Sequence, residues 1–212
     1  MSNLLERDEK EAAGELVRGL VEQAQGGSQT AFNELVRAFQ RPMFNLAFRM
    51  VNNREDADEL TQEIFVRMYR SMGKFRGNST FATWLYAIAV NTCRSRLRQL
   101  RRIAGFEVVR LDEERERDDF GRSHVEAVDP ADPPGKAMER REIGEHVQSI
   151  VAALPDELKA VIVLRDMQGL AYEEIAAALG CNVGTVKSRL FRARLRAKEK
   201  LSREGLLCAV KK

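Results

Sequence analysis

The sequence predicts an all-α fold: two small helical domains joined by a flexible acidic linker, the C-terminal one containing a helix-turn-helix. Three observations favour this fold. Apolar residues recur at the three- and four-residue spacing that lines one face of a helix. An acidic, proline-containing stretch without that spacing divides the chain, and a short glycine-containing turn joins an alanine-rich helix to a basic helix near the C-terminus. With 44% hydrophobic and 32% charged residues, a chain of 212 residues can bury the core of one large domain or of two small ones.

The N-terminal domain is predicted over residues 26–102, after a charged segment over 1–25 that is either a frayed leader or a short first helix. A helix begins at Ser28 and is expected to end at Pro42, because proline lacks the N–H that a helix interior needs. A further helical segment over 43–51 keeps its apolar residues on one side.

Two more helices complete this domain. Asn52-Asn53 predicts a turn, because asparagine favours turn conformations. A helix follows over 54–72, and the acidic residues in its first turn complement the helix dipole. A loop is predicted over 75–79, and Thr80 then caps a helix that extends to Arg102. The end of that helix carries a run of basic residues with no acid among them: Arg94, Arg96, Arg98, Arg101 and Arg102. We interpret this run as a patch that attracts a phosphate backbone.

Residues 103–137 are predicted to be a linker, because the acidic run over 112–119 and the segment VDPADPPGK carry no helical pattern. A second domain is predicted over 138–205, followed by a tail over 206–212. Too few apolar residues cross the linker to join the two cores, so we expect the cores to be separate.

The second domain carries a helix-turn-helix pattern. A short helix over 172–179 is followed by a turn over 180–182 and a basic helix over 183–201. A turn this short between two such helices predicts that the second helix enters the major groove of DNA. Asn182 is expected to cap that second helix.

The faces of the basic helix follow from a rotation of about 100° per residue. Its inward seam is predicted to hold Val186, Leu190, Ala193 and Ala197. Its opposite side is predicted to hold Lys187, Ser188, Phe191 and Leu195, with Arg192 beside them and Arg189 and Arg194 on the flanks. An outward aromatic has no core to fill, whereas in a major groove it packs on a thymine methyl. The alternative is that the basic residues only solvate a terminal helix, but solvated faces usually mix both signs of charge.

Other classes of protein are disfavoured by what the sequence lacks. Cys93, Cys181 and Cys208 have neither disulfide nor metal-binding spacing, and no metal or cofactor is expected. No glycine-rich phosphate loop or nucleophile motif occurs, and neither His124 nor His146 belongs to a catalytic motif, so an enzyme is not expected. The chain has no apolar run of membrane-spanning length and no secretory signal, which predicts a cytoplasmic protein without membrane insertion.

Two blocks of sequence resemble one family. The string DELTQEIFVRMYRSMGKFRGNSTFATWLYAIAVNTCRSRLR and, later, LPDELKAVIVLRDMQGLAYEEIAAALGCNVGTVKSRLFRAR resemble the extracytoplasmic-function group of bacterial sigma factors. The likeness covers roughly residues 25–102 and 138–203. It implies a protein that joins core RNA polymerase, recognises minus-10 and minus-35 promoter elements, and initiates transcription. The alternative is a two-component-type regulator with a similar helix-turn-helix, which would need a parallel sheet ahead of Glu139, where no strand pattern occurs.

The resemblance assigns roles in the first domain by position. Glu59, Gln62 and Glu63 look like the polar face that docks on the clamp helices of the polymerase's largest subunit, the alternative being ordinary solvent exposure. The loop over 75–79 resembles the loop that receives a base flipped from the minus-10 element. Contacts to that element are implied for Asn78, Ser79, Phe81, Trp84 and Asn91. Trp84 has a second interpretation, because its spacing with Phe81 and Leu85 equally fits core packing.

The resemblance also implies contacts to duplex DNA. Phosphates are assigned to Arg94, Arg96, Arg98, Arg101, Arg189 and Arg194. The minus-35 element is assigned to Thr185, Lys187, Ser188, Phe191 and Arg192. In this family the linker runs toward the polymerase's active centre, and an anti-sigma factor commonly holds the protein inactive. Two positions depart from the family pattern: Ala171 stands where relatives often carry a capping serine, and Asn182 where they often carry proline.

Overall fold

The computed structural model describes residues 2–103 and 144–203, with side chains from residue 12 onward, and every regular element in those ranges is helical. The first unit (2–103) contains α1 (Ser2–Gln25), α2 (Gln29–Val51), α3 (Arg54–Ser71), a 3-10 turn (Met72–Lys74) and α4 (Phe81–Ile103). The second unit (144–203) contains α5 (144–152), α6 (Asp156–Ile162), a π-helical turn (Val163–Met167), α7 (Tyr172–Leu179) and α8 (Val183–Arg203). The predicted all-α fold class is confirmed. The predicted linker and tail lie outside the described residues, apart from Ile103 at the end of α4.

The turn between α2 and α3 forms as its two asparagines predict. Asn52 ends α2 in the left-handed conformation, with φ 56°, which asparagine tolerates better than most side chains. Asn53 begins α3, and its Oδ1 accepts a hydrogen bond from the Asp56 N–H at 2.9 Å. The local sequence therefore determines this boundary.

Pro42 does not end a helix, and that prediction is wrong: the residue lies inside the continuous helix α2. A proline in a helix interior costs about 3 kcal/mol through its missing N–H and its clash with the preceding turn. Met43, Leu46 and Ala47, which follow it, are fully buried. Each large apolar side chain contributes about 1.5–3 kcal/mol when buried, so a continuous helix that buries all of them outweighs the cost of the proline.

The segment before residue 26 is a first helix docked on the bundle. Val21 on α1 is only 3% exposed, whereas Leu16, five residues earlier, is exposed. The Gln25 amide donates to the carbonyls of Met72 and Phe75 at 3.0 and 2.8 Å. These contacts fix the C-terminal end of α1 on the loop that precedes α4.

The two units pack against each other, whereas separate cores were expected. Buried residues of both units form one continuous apolar cluster, and α2 and α4 of the first unit contact α6, the π-helical turn and α7 of the second. Buried polar side chains such as Gln148 and Lys159 also lie at this boundary, and apolar periodicity gives no sign of such residues. The domain bounds of 26–102 and 138–205 stay predictions.

The helix-turn-helix forms where it was predicted. Gly180 ends α7 with φ 62°, a left-handed conformation that favours glycine. Asn182 caps α8, because its Oδ1 accepts from the Thr185 N–H at 2.7 Å. At the start of α7, Ala171 offers no side-chain acceptor, and only the reverse half of a capping box forms, from the Ala171 N–H to Glu174 at 2.8 Å.

Candidate nucleic-acid and polymerase interface

The outward face of α8 is open to solvent, as its sequence predicts. Val186, Leu190 and Ala193 are at most 2% exposed and hold the helix on the second unit. On the other side of the helix, Phe191 is 69% exposed and Leu195 is 45% exposed. Three predicted minus-35 residues share this exposed surface: Lys187, Ser188 and Arg192. Their DNA contacts stay predictions, but nothing in the described structure covers them.

An aromatic side chain that the sequence analysis missed lies beside this face. Tyr172, the first residue of α7, lines with Lys187, Phe191 and Leu195 a shallow groove of about 360 Å³ along α8. Its ring lies 5.8 Å from the Lys187 ammonium and 4.8 Å from the Arg165 guanidinium. A cation over an aromatic face is attracted by the ring's quadrupole, so Tyr172 favours one position for Lys187. Only the tertiary contact between α7 and α8 reveals this role.

The Thr185 side chain takes part in the cap of α8, and its predicted contact with the minus-35 element stays a prediction. Its hydroxyl donates to the Asn182 Oδ1 at 2.9 Å, in addition to the cap bond from its own N–H. Ser188, one turn later, donates to the Thr185 carbonyl at 3.0 Å. Both hydroxyl protons are therefore engaged within the helix, which leaves the hydroxyl oxygens to accept hydrogen bonds from a ligand.

The predicted minus-10 residues divide between a loop and a buried aromatic cluster. Phe81 and Trp84 pack with Phe75 at ring-centroid distances of 5.2 to 5.7 Å. Phe81 is 5% exposed, so in this conformation it supports the site from beneath and cannot stack on a base. Trp84 is half-buried, in agreement with the core-packing interpretation, and retains an accessible part. Of the remaining predicted residues, Asn78 and Asn91 are exposed and Ser79 is half-buried. The base contacts of all five stay predictions.

Two of the arginines at the end of α4 are paired with acids of other helices. Arg96 donates to Asp56 at 2.5 Å and to Glu59 at 3.0 Å, and the hydrogen bond to Asp56 raises the pKa of Arg96. Arg101 forms an ion pair with Asp156 at 2.6 Å.

The other arginines of α4, Arg94, Arg98 and Arg102, have no acidic hydrogen-bond partner among the described residues. The Nε and Nη2 atoms of Arg94 are buried with no partner among the described residues, and burial lowers its pKa. Arg98 makes only local contacts with Arg94 and Ser95 on the same helix. The sequence predicts that this run attracts a phosphate backbone; in the structure Arg98 and Arg102 are its exposed members without an acidic partner among the described residues, and the phosphate contacts of the run stay predictions.

The flanking arginines of α8 are also paired, with acids that the sequence analysis did not single out. Arg189 forms an ion pair with Glu157 at the start of α6. Arg194 donates to Asp166 in the π-helical turn at 2.5 and 3.1 Å. The predicted phosphate contacts of both residues stay predictions, and each requires an internal ion pair to open.

The predicted polymerase-binding residues form one exposed strip of α3, together with two apolar residues that were missed. Glu59, Gln62 and Glu63 are exposed. Val66 and Tyr69 lie on the same helical face and are 46% and 62% exposed. Their helical spacing from Gln62 is a sequence signal that could have identified them.

The described residues also bear on three other features: a metal site, a membrane-spanning helix and a reactive cysteine. Within residues 12–103 and 144–203, no group of three or more His, Cys, Asp or Glu side chains is placed to hold a metal ion. None of the described helices is long and apolar enough to cross a bilayer. Cys93 is fully buried, and burial raises the pKa of its thiol to about 12, so it stays protonated and unreactive.

Comparison with known proteins agrees with this geometry. Residues 35–103 match the family described as Sigma-70 region 2, and residues 145–196 match Sigma-70, region 4. The chain is 40% identical over 176 residues to the RNA polymerase sigma-H factor of Pseudomonas aeruginosa, which covers 82% of this chain and 88% of that protein. It is 42% identical over 177 residues to the ECF RNA polymerase sigma-E factor of Haemophilus influenzae, which covers 84% of this chain and 90% of that protein.

A solved structure shares the fold. The sigma factor RpoE from Bartonella quintana, in complex with the anti-sigma factor NepR, gives a TM-score of 0.61 at 22% identity, covering 81% of this chain and 96% of that one. Two family matches in the expected order and relatives at 40% identity or more along most of the chain carry the assignment. The chain therefore belongs to the extracytoplasmic-function family of bacterial RNA polymerase sigma factors.

Proposed function

We propose that this sigma factor binds core polymerase through α3, reads the minus-35 element with α8, and opens the minus-10 element with α4 and the loop before it. The observation that carries the proposal is the outward face of α8, where Phe191 is exposed between Lys187 and Arg192. An exposed aromatic flanked by cations is unfavourable in water and suits a major groove, where the ring packs on a thymine methyl and the cations reach guanine edges or phosphates.

The position of these residues on α8 supports the same function. Lys187, Ser188, Phe191 and Arg192 lie in the first half of a helix of 21 residues. In a helix-turn-helix, the N-terminal residues of the second helix contact base edges. The buried seam through Leu190 fixes the rotation of α8 on its unit, so these side chains are presented in a defined order.

The strip on α3 supports polymerase binding. Val66 and Tyr69 expose apolar surface next to Gln62, and Tyr69 is held in place by an edge-on contact with the Phe32 ring, 5.1 Å away. Contiguous exposed apolar residues with a polar rim mark protein interfaces more often than solvated surface. We therefore place the clamp helices of the polymerase's largest subunit on this strip.

The loop before α4 supports capture of an unpaired base. Gly77 adopts a φ of 73° and gives the loop a sharp turn; the following Asn78 is exposed, and Trp84 on the first turn of α4 is half-buried. Unstacking a base costs a few kcal/mol, and an amide together with an aromatic wall can recover that cost. In this proposal Phe75 and Phe81 hold the tryptophan in place from beneath.

In vitro transcription with core polymerase tests the role of α8. Lys187→Ala and Arg192→Ala are each expected to reduce initiation from promoters that carry a minus-35 element, through a loss of about 1–3 kcal/mol in promoter binding. Arg203→Ala is the matched control, because it removes the same charge from the same helix about 16 Å beyond Arg192 and about 24 Å beyond Lys187. Normal initiation by both test variants would show that the assigned DNA face is wrong.

A pull-down with core polymerase tests the strip on α3 separately. Gln62→Ala combined with Glu63→Ala should weaken association with the polymerase and leave the thermal unfolding midpoint almost unchanged, because both side chains are exposed and the ion pair that Glu63 forms with Arg67 is itself exposed. Glu22→Ala combined with Gln23→Ala removes an exposed pair of the same composition from α1 and should bind normally. Equal capture of the two double variants contradicts docking through Gln62 and Glu63.

We further propose that the protein acts in the cytoplasm and is inhibited by an anti-sigma factor, as the solved relative is found in complex with one. The exposed apolar surfaces of α3 and α8 are suited to such a partner. A candidate inhibitor should compete with core polymerase in a binding assay, and co-binding without competition counts against this form of control. We propose no catalytic step of the protein's own, and nuclease and ATPase assays should detect no turnover.

A further inference from the structure

The loop before α4 is held at its start by the last residue of α1. The side-chain amide of Gln25 donates to the Met72 carbonyl at 3.0 Å and to the Phe75 carbonyl at 2.8 Å. A primary amide carries two N–H donors, so this one side chain can serve both carbonyls. The two bonds fix the point at which the loop leaves the 3-10 turn.

The position of Gln25 is itself fixed by the packing of α1. Val21, one turn earlier on the helix, is 3% exposed. Gly27 follows with a φ of 93°, a left-handed conformation that favours glycine and ends the helix. The Ser28 N–H donates back to the Gln23 carbonyl at 3.0 Å and completes the end of α1. The Gln25 amide is therefore presented from an ordered helix end that is docked on the core.

The far end of the loop has its own anchor on α4. The Thr80 hydroxyl oxygen accepts a hydrogen bond from the Thr83 N–H at 3.1 Å, and the Thr80 carbonyl accepts one from the Trp84 N–H at 3.1 Å. Residues 76–79 lie between the two anchors, and Gly77 among them adopts a φ of 73° in open space. The shape of this short stretch therefore depends on how both of its ends are held.

One carbonyl that Gln25 binds belongs to an aromatic residue of the proposed base site. The Phe75 ring lies 5.2 Å from the Trp84 ring and 5.7 Å from the Phe81 ring, and Phe81 meets the Phe39 ring at 5.5 Å. Aromatic pairs at these distances attract each other in preferred relative orientations. By holding the Phe75 backbone, Gln25 also holds the ring that supports one side of Trp84.

We propose that Gln25 is a positioning residue of the minus-10 site. Its amide holds the start of the loop, so that Asn78 and Trp84 keep the arrangement that accepts an unpaired base. Gln25 itself touches no DNA and acts through Phe75 and the loop. The inference rests on the base capture of the proposed function and adds the residue that sets its geometry. Through this residue α1, which precedes the predicted N-terminal domain, takes part in promoter recognition.

The bonds of Gln25 lie at the surface, so their effect is local. Gln25 is exposed, and a hydrogen bond that exchanges with bonds to water contributes little to global stability. A binding site, by contrast, needs its groups held within about 0.5 Å of the productive geometry. Loss of the two bonds is therefore expected to change base recognition while the fold is kept.

The base preference of the polymerase complex in single-stranded DNA tests the inference. Bound strands are selected from single-stranded non-template DNA randomised over the minus-10 element, and the enrichment of each base is measured. The parent is expected to prefer one base about tenfold at its most selective position, since a mismatched base typically costs about that much. Gln25→Met keeps the length and the neutrality of the side chain but removes both donors. This variant should reduce the preference to about twofold.

Two matched variants separate positioning from general damage. Gln23→Met makes the same change at an exposed residue of α1 whose side chain forms no hydrogen bond among the described residues, and it should keep the parent's preference. Gln25→Lys restores donors through its ammonium and should recover most of the preference. The added charge changes the affinity for every strand alike and cancels in the ratio. A loss that Gln25→Lys does not restore, or an equal loss in Gln23→Met, overturns the proposal.

The fluorescence of the free protein gives an independent measurement, because Trp84 is the only tryptophan in the chain. In Gln25→Met, the displaced Phe75 ring should expose Trp84 to water and shift its emission to longer wavelength. Gln23→Met and Gln25→Lys should keep the parent's emission maximum. Unchanged emission in Gln25→Met would show that the loop does not need the two bonds, which also overturns the proposal. Gln25→Glu, whose carboxylate only accepts hydrogen bonds, replaces Gln25→Met if that protein fails to fold.

The behaviour of the parent separates this inference from the proposed function. If the parent's complex with polymerase shows no base preference in single-stranded DNA, base capture by the loop fails. If the parent selects a base and Gln25→Met selects it equally well, only the positioning role of Gln25 is refuted and the proposed function stands.

Discussion

Two helices of this sigma factor, α4 and α8, are rich in arginine, but they differ in how much of their basic surface is open to a ligand. Both α4 and α8 bury one seam and carry several arginines. On both helices some arginines are paired with acids of other elements, Arg96 and Arg101 on α4 and Arg189 and Arg194 on α8. Only on α8 is the face opposite the buried seam open, with Lys187 and Arg192 exposed beside Phe191. Charge density along a helix therefore identifies a surface that attracts phosphate, but acids on neighbouring helices decide whether that surface is free.

The largest expected effect concerns the two sides of α8. Leu190→Ala should lower the free energy of unfolding by about 2–5 kcal/mol, because the side chain is 2% exposed and its removal leaves a cavity. Phe191→Ala, at the next residue, should change stability by about 0.5 kcal/mol or less and weaken promoter binding instead. Urea denaturation and promoter titration measure the two quantities. A comparable loss of stability in both variants would mean that Phe191 packs inside the protein.

A smaller expected effect, on promoter binding by the polymerase complex, distinguishes α8 from α4. Arg192→Ala should cost about 1–3 kcal/mol on the preferred minus-35 sequence and less on an altered one, because the residue is predicted to contact bases. Arg98→Ala should weaken binding equally on both sequences and lower the salt exponent by about 1, as expected for a phosphate contact. Promoter titrations at several salt concentrations measure both. If Arg98→Ala weakened binding more on the preferred promoter sequence than on the altered one, Arg98 would contact bases and the assigned difference between α4 and α8 would be wrong.

The smallest effect concerns the start of the helix-turn-helix. Ala171→Ser should raise the free energy of unfolding by about 1 kcal/mol, because serine supplies the acceptor that the N-terminus of α7 lacks. Promoter affinity should not change, since the residue lies off the outward face of α8. Thermal and urea unfolding check the first statement, and promoter titration checks the second. An unchanged unfolding free energy would show that the bond from the Ala171 N–H to Glu174 already suffices.

Local sequence was a good guide wherever neighbouring residues determine the structure. The turn at Asn52-Asn53, the cap at Asn182 and the bounds of α7 follow from residues within four positions of each other. The inward and outward faces of α8 follow from helical rotation alone. Pro42 was misread, because the burial of the residues after it outweighs its local cost.

The sequence by itself determined that this chain is all-helical, that α8 presents Lys187, Phe191 and Arg192 outward, and which family it belongs to. The tertiary structure alone decided that two nitrogen atoms of Arg94 are buried, that Asp156 and Glu157 pair with arginines from two other helices, and that the two units share one core. The physical reason is the distance along the chain over which each interaction acts. Helical periodicity and capping act over a few residues, whereas each of these ion pairs joins residues more than thirty positions apart, and only the packing of the helices brings them together.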